Sequence, residues 1–158
     1  MLLHGAIKRA LLGFVATAFL ACKAASGVPT VELTFVTPSD KKLASFTAEI
    51  AANNQERSKG LMFRRHLGAH EGMFFIFPEE RHLSFWMKNT LIPLDMLFIS
   101  KDWRVVGIVE NVPPLTEEPR GVAALSQYVL EVPGGTCSRL GLGVGNRVNV
   151  DGRLPTPQ

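Results

Sequence analysis

Short hydrophobic segments with the periodicity of strands dominate the chain from residue 31 onward. Residues 31–36 alternate apolar and polar side chains, as a strand does when one of its faces is buried. Residues 73–77 are a continuous apolar run that stops at Pro78, which is typical of a strand covered on both faces. Weaker strand patterns cover residues 46–51, 84–88, 94–99, 104–109, 128–132 and 146–150.

Residues 53–63 depart from this pattern and predict a short helix. Asn53 or Asn54 can cap its start, Glu56 lies in the first turn where the helix dipole favours an acid, and Gly60 keeps it brief. Short strands without long helices between them predict a mainly β fold. We expect a compact antiparallel barrel or jelly-roll-like sandwich with one or two short helices. This single domain would span residues 31–151, and residues 152–158 would form a C-terminal tail.

Residues 1–22 have the organisation of a secretory signal. Lys8 and Arg9 precede the uncharged run of residues 10–21, which is shorter than the roughly 20 residues of a membrane span. The junction of Ala21 and Cys22 is similar to a lipoprotein cleavage site, so we expect acylation of Cys22 and a tether over residues 23–30. Ordinary cleavage after residue 24, 25 or 26 is the alternative. Both interpretations predict an exported protein of the periplasm or cell envelope.

Composition and charge narrow the class of protein further. Of the 158 residues, 46% are hydrophobic and 20% charged, which suits one globular domain and excludes collagen or a disordered chain. Because Lys8 and Arg9 contribute to the net charge of +3, 15 basic and 14 acidic residues lie beyond residue 22. This balance does not predict a nucleic-acid partner. The expected partners are the membrane, through the lipid anchor, and an envelope ligand or protein; the oligomeric state is open.

Five sequence motifs, taken together, indicate a resemblance to a known family. They are the residues of Arg57-x-x-Gly-Leu-Met-Phe-Arg, Gly72-Met-Phe-Phe-x-Phe, Phe85-Trp-Met-Lys-Asn-Thr-x-Ile-Pro-Leu-Asp, Tyr128-Val-Leu-Glu followed by Gly135, and Gly141-x-x-x-Gly145. They resemble the bacterial and archaeal family called domain of unknown function 192, over about residues 31–150. The resemblance implies a small β-rich barrel or jelly-roll-like domain that is often exported, and it implies no established reaction. Asn146 stands where an aspartate is common in that family, and Gly134-Gly135 where alanine-glycine is common.

The charged and aromatic residues inside these stretches predict a shallow polar pocket. In an extended strand Trp86, Lys88 and Thr90 share one face, and a turn at residues 92–93 would return Asp95 towards Lys88. The candidate ligand-binding residues are Arg57, Trp86, Lys88, Asn89, Thr90, Asp95 and Glu131. The alternative is structural: the charged members form ion pairs, and Asn89 and Thr90 stabilise a turn.

Three functions are compatible with such a pocket. The preferred one is a non-enzymatic domain that binds an envelope ligand or protein, because the sequence has no recognisable pair of nucleophile and base. A small hydrolase or transferase would instead use Lys88 and Asp95, with Glu131, as acid–base groups. The third is an interaction module in which the motif serves only to fold the domain. We predict no catalytic residue and no cofactor.

Metal-binding and nucleophilic chemistry have weaker support. His66 and His70 are four residues apart and His82 follows, but the zinc pattern H-E-x-x-H does not occur, so loop histidines are the better interpretation. Four methionines could offer thioethers to Cu(I), although core packing is favoured for Met62, Met73, Met87 and Met96. Cys137 is expected to be a buried thiol rather than a nucleophile. We therefore predict no metal site.

Overall fold

The computed structural model describes residues 27–158. This part of the chain forms strands and two short helices in the order β1 (Thr30–Val36), β2 (Lys42–Ala51), α1 (Asn54–Lys59), β3 (Glu71–Arg81), β4 (Ser84–Phe85), β5 (Leu94–Ile99), β6 (Val105–Val112), β7 (Arg120–Gly121), β8 (Ser126–Pro133), α2 (Thr136–Leu140) and β9 (Arg147–Asp151). The prediction of a mainly β fold with one or two short helices is confirmed.

Seven of the strands form one sheet in the order β6-β5-β8-β3-β2-β1-β9, and β4 pairs with β7 in a separate ribbon. All neighbours in the large sheet are antiparallel except β2 and β3, which are parallel. The expected antiparallel arrangement therefore holds for every pair of the large sheet except this one. Parallel neighbours need a crossover connection, and residues 52–70, which include α1, provide it.

The sheet curls without closing into a barrel, so the sandwich-like alternative describes it better. Its outer strands β6 and β9 approach each other where Arg104 and Arg147 form one isolated bridge. Beside this bridge the Val105 N–H donates to Asn146 O and the Val148 N–H donates to Trp103 O, each over 2.9 Å.

Two hydrophobic cores cover the two faces of the sheet. Side chains alternate between faces along a strand, so Phe74 of β3 lies in the first core and Phe75 in the second. The first core also contains Phe35, Phe46, Leu97, Leu130 and Val132. The second, which lies under α1 and the β4 region, contains Met87, Met96, Phe98 and Val129.

Several element boundaries follow from local contacts. The Asn53 side chain accepts a hydrogen bond from the Glu56 N–H over 2.9 Å, and the Glu56 carboxylate accepts from the Asn53 N–H, so the helix begins with a capping box. The strand predicted to stop at Pro78 continues to Arg81, whereas β4 ends at Phe85 rather than residue 88. The sequence did not predict α2.

The predicted export signal and Cys22 lie outside the described residues. Within residues 27–158, no helix is long and apolar enough to cross a membrane.

Candidate ligand-binding site

A cavity of about 250 Å³ opens beside the second core, between α1, the end of β3 and the β4 region. Aromatic side chains of β3 and β4 form part of its wall. Phe85 packs edge-on against Phe75, with 5.0 Å between the ring centroids. The charged side chains that line the cavity are Arg57, Lys59, Arg81, Lys88 and Glu131. Thr90 is among the polar lining residues, and Trp86 also lines the cavity.

A tight turn after β4 places Trp86 and Lys88 at this cavity. The Thr90 N–H donates to Met87 O over 3.0 Å, and Asn89 occupies the left-handed region with φ of 55°. Asparagine tolerates this conformation better than most residues. The Lys88 Nζ atom lies 5.2 Å from the centroid of the Trp86 ring, close enough for a cation–π interaction.

Asn89 and Thr90 have structural roles in this turn. The Asn89 carbonyl accepts a hydrogen bond from the Phe63 N–H over 2.8 Å, and the Thr90 carbonyl accepts from the Leu115 N–H over 3.0 Å. Only Thr90 of the two lines the cavity. The turn-stabilising alternative therefore describes Asn89 well.

Arg57 of α1 mainly forms hydrogen bonds that connect α1 to backbone carbonyl groups of other segments. Its Nη1 donates to Ala52 O over 2.7 Å and to Ile76 O over 2.8 Å, and its Nη2 donates to Asn54 Oδ1 and Gln158 O. Its guanidinium also lies 5.1 Å from the Phe77 ring centroid. Four of its five N–H donors are thus used within the protein.

Arg81 brings a second guanidinium to the same aromatic ring. Its Cζ atom lies 5.0 Å from the Phe77 centroid. Burial, together with the positive charge of Arg81, lowers the pKa of Arg57. Between residues 27 and 158, neither Arg81 nor Lys88 forms a salt bridge. Two cations at the cavity therefore keep their charge available to a ligand.

Glu131 of β8 presents a buried carboxyl group to the cavity. Glu131 is only 4% exposed, and its neighbours on the adjacent strands are Met73 of β3 and Met96 of β5. No hydrogen bond to its carboxyl oxygens occurs within residues 27–158, and burial is the one influence on its charge. Burial raises the pKa of Glu131 to about 8, because the charged form loses its hydration. At neutral pH this group is predominantly a carboxylic acid.

Asp95 does not lie beside Lys88, so that expectation is wrong. In the register of β5 and β8, Asp95 pairs with Val132 of the first core, which places its side chain on the opposite face from Glu131. Its carboxylate accepts the backbone N–H groups of Asn111, Gly135 and Cys137 over 2.8, 3.0 and 2.7 Å. Asp95 thus fixes the start of α2 and the end of β6.

The weaker candidates take structural positions. Cys137 is buried, and burial together with the nearby Asp95 raises the pKa of its thiol, which disfavours a thiolate. Met73, Met87 and Met96 belong to the second core, as the packing interpretation predicts. The exposed residues His66, His70 and His82 lie outside the helices. Residues 27–158 contain no group of three His, Cys, Asp or Glu side chains placed to hold a metal ion.

The structure thus gathers five of the seven candidates at the cavity and separates Asn89 and Asp95 from it. Sequence reasoning missed Lys59 and Arg81. Arg81 follows an irregularity in the pairing of β3 with β8 between Ile76 and Arg81, so simple alternation from Phe75 does not place it at the cavity.

The fold and the cavity together define a small, mainly β domain. The chain belongs to the DUF192 family, whose sequence model, described as "Uncharacterized ACR", matches residues 35–150. No curated protein matches the chain.

Two crystal structures are similar to this chain. One is described as a "putative transcription regulator" from Sinorhizobium meliloti 1021; it is 37% identical with a TM-score of 0.75, and the match covers 78% of this chain and 95% of that one. The other is a protein of unknown function from Novosphingobium aromaticivorans DSM 12444, 39% identical with a TM-score of 0.72, covering 80% of this chain and 89% of that one.

Proposed function

We propose that this protein is an exported, membrane-tethered domain that binds a small ligand in the cavity at Trp86, Lys88 and Glu131 without transforming it. The observation that carries the proposal is the Glu131 carboxyl, which is buried and faces the cavity without a hydrogen-bond partner in the described part of the chain. Its oxygens are not among the fully enclosed, unpartnered side-chain atoms of residues 27–158, so they are reachable from the cavity. A ligand that bonds to this carboxyl supplies a hydrogen-bond partner that the described part of the chain does not.

Binding is favoured over the hydrolase or transferase alternative by the position of Asp95. General acid–base catalysis requires both groups within reach of one substrate. Lys88 lines the cavity, whereas the Asp95 carboxylate lies on the other face of the sheet and accepts three backbone N–H groups. The pair named by the sequence therefore cannot act together on one bound molecule.

Binding screens on the full-length protein test this proposal. Envelope sugars, lipids and soluble metabolites are tested by calorimetry and by the shift in melting temperature, for the wild type and for Trp86→Ala. Leu125→Ala is the matched control, because Leu125 is an apolar side chain of similar exposure that does not line the cavity. We expect at least one compound to bind the wild type and the control more tightly than Trp86→Ala. Equal binding to all three proteins, or none, contradicts the proposal.

The proposed location rests on the sequence of residues 1–22. The basic start, the short apolar run and the junction of Ala21 and Cys22 support cleavage before Cys22 and its acylation. Mass spectrometry of the mature N-terminus tests this, and diacylglyceryl-cysteine at position 22 is the expected result. Cys22→Ser should abolish lipid attachment. A free N-terminus at residue 25, 26 or 27 indicates ordinary secretion instead.

An interaction module is the second candidate function. Phe63, Trp86, Leu91 and Leu115 are large apolar side chains that are 37–66% exposed, and backbone hydrogen bonds join the loops that carry them. Exposed apolar groups of this kind can mark a contact surface. In-cell crosslinking compares Phe63→Ser with the wild type at equal protein abundance. Loss of a specific crosslinked product supports the module, and unchanged products contradict it.

The description of the Sinorhizobium protein does not lead us to propose DNA binding. Because Lys8, Arg9 and Lys23 precede the described residues, residues 27–158 carry 14 basic and 14 acidic side chains. DNA-binding domains ordinarily have an excess of basic charge.

A further inference from the structure

Cationic side chains predominate among the charged residues that line the cavity. Glu131 is the one acidic side chain among the lining residues, and four cations accompany it: Arg57 and Lys59 of α1, Arg81 of β3, and Lys88 of the turn. The strand neighbours of Glu131 are the uncharged Met73 and Met96, and Asp95 is on the opposite face. Since burial keeps Glu131 protonated at neutral pH, the field in the cavity is positive.

Three of these cations, Lys59, Arg81 and Lys88, form no salt bridge within residues 27–158. Arg57 has used most of its donors on backbone and amide oxygens, whereas Arg81 and Lys88 stack only on Phe77 and Trp86 among the described residues. Arg81 and Arg57 lie on the same ring, so an anion bound there would reduce their mutual repulsion. This arrangement suits a carboxylate or phosphate group.

The remaining surfaces suit an uncharged, hydroxyl-bearing part of the same ligand. A protonated carboxyl both donates and accepts a hydrogen bond, so Glu131 can bond to a hydroxyl or carbonyl oxygen. Trp86 is 49% exposed at the cavity, and its indole offers an apolar surface to the C–H face of a ring. A volume of about 250 Å³ is small for a ligand site.

We propose that the cavity binds a hydroxylated organic anion of the size of an acidic monosaccharide. Its anionic group contacts Arg81 and Lys88, and one of its uncharged oxygens bonds to the carboxylic acid of Glu131. This inference rests on the proposed ligand-binding function and specifies the class of ligand.

Calorimetry on the full-length protein tests the class with four probes: D-glucuronate, D-glucose 6-phosphate, D-glucose and choline. The first two distinguish a carboxylate from a phosphate, and the charge of neither changes appreciably between pH 7 and 9. We expect at least one of these anions to bind at least about tenfold more tightly than glucose or choline. Arg81→Ala should weaken this binding about tenfold, whereas the matched control Arg65→Ala, an exposed arginine outside the cavity, should not.

The pH dependence tests the role of Glu131 separately. As Glu131 ionises it stops donating its proton and repels the anion, so affinity should fall about tenfold between pH 7 and pH 9. Glu131→Gln keeps a donor and an acceptor but does not titrate. Its affinity should stay constant over the same range.

The outcomes separate this inference from the proposed function. Tighter binding of choline than of either anion overturns the inference, because Glu131 would then act as a carboxylate. Anion binding that is equally strong or stronger at pH 9 also overturns it, because the bound anion would then not depend on the protonated Glu131. If neither anion binds but another compound from the screen binds in a Trp86-dependent way, the ligand class is wrong and the binding function stands. If nothing binds, both are wrong.

Discussion

Asp95 and Glu131 are buried carboxyl groups on neighbouring strands of one sheet, in entirely different surroundings. Asp95 faces the first core and accepts three backbone N–H groups from β6 and from the start of α2. Glu131 faces the second core and the cavity, and within residues 27–158 its carboxyl has no hydrogen-bond donor. The two residues belong to successive pairs of the β5–β8 ladder, Asp95 with Val132 and Glu131 with Met96. Successive pairs face opposite sides of the sheet, so the two carboxyl groups have different surroundings.

The difference shows why an acid within a conspicuous motif need not be functional. Backbone N–H groups that converge on a carboxylate stabilise its charge and hold loops together, which is a structural role. A carboxyl that burial leaves unbonded destabilises the domain by itself, and perturbed groups of this kind concentrate at functional sites. Substitutions at the two positions should therefore have opposite effects on stability.

The largest effect is expected from Asp95→Ala. Three N–H groups, one buried and two partly buried, lose their acceptor, so the free energy of unfolding should fall by about 3–5 kcal/mol. Urea denaturation measures it. Asp95→Asn retains one acceptor oxygen and should lose less. A loss below about 1 kcal/mol for the alanine variant would show that these bonds do not hold β6 and α2 in place.

The next effect is a fall in stability with rising pH that originates from Glu131. The ordinary pKa of a glutamate is 4.5, and the folded value is about 8, so the folded state retains a proton that the unfolded state releases. Between about pH 5 and pH 8 the free energy of unfolding should therefore decrease, by roughly 1 kcal/mol per pH unit. Urea denaturation of the wild type and Glu131→Gln isolates this contribution. A constant difference between the two proteins across this range contradicts it.

Replacement of Glu131 by an apolar side chain should raise the free energy of unfolding, whereas Asp95→Ala lowers it. The size of this change should be smaller. Glu131→Leu removes an unbonded polar group from an apolar environment, so we expect stabilisation by about 1–2 kcal/mol at pH 7. Thermal and urea unfolding measure the gain, and calorimetry should show loss of anion binding. Destabilisation by more than 1 kcal/mol would mean that Glu131 has a structural partner after all.

The smallest effect is the energetic coupling between the two positions. Their side chains project from opposite faces and share no hydrogen-bond partner, so the coupling of Asp95→Asn with Glu131→Gln should be below about 0.5 kcal/mol. A double-mutant cycle from urea denaturation measures it at pH 6. A larger coupling would imply that the backbone of β5 and β8 transmits strain between the two faces.

Elements with a strong local pattern could be predicted from the sequence. Residues 94–99 have the predicted bounds of β5, and Asn53, Glu56 and Gly60 determine α1 through contacts close in sequence. By contrast, α2 begins after Gly135, which has no side chain to cap it. The N–H groups at its start are instead accepted by Asp95, 40 and 42 residues away. A contact of that range leaves no periodicity in the local sequence.

The candidate site was predictable in part for the same reason. The Phe-Trp-Met-Lys-Asn-Thr stretch was sufficient to predict Trp86, Lys88 and Thr90 as site residues. A turn after β4, rather than a continuous strand, brings them to the cavity. The position of Asp95 could not be deduced, because the proximity of residues on adjacent strands also depends on which face each occupies. The charge state of Glu131 depends on burial by distant residues, which the Tyr-Val-Leu-Glu stretch does not encode.

The meeting of β6 and β9 also bears on how this domain tolerates crowding. Exposed sheet edges are templates for pairing with other chains and hence for aggregation. Here the hydrogen bonds of Val105 and Val148 connect the two outer strands, and the Val122 side chain approaches so closely that a Cβ on Gly107 would lie 2.5 Å from it. These contacts restrict access to the edges. Copies held close together by the proposed lipid anchor would thus be protected from edge-to-edge association by a few residues at the ends of the sheet.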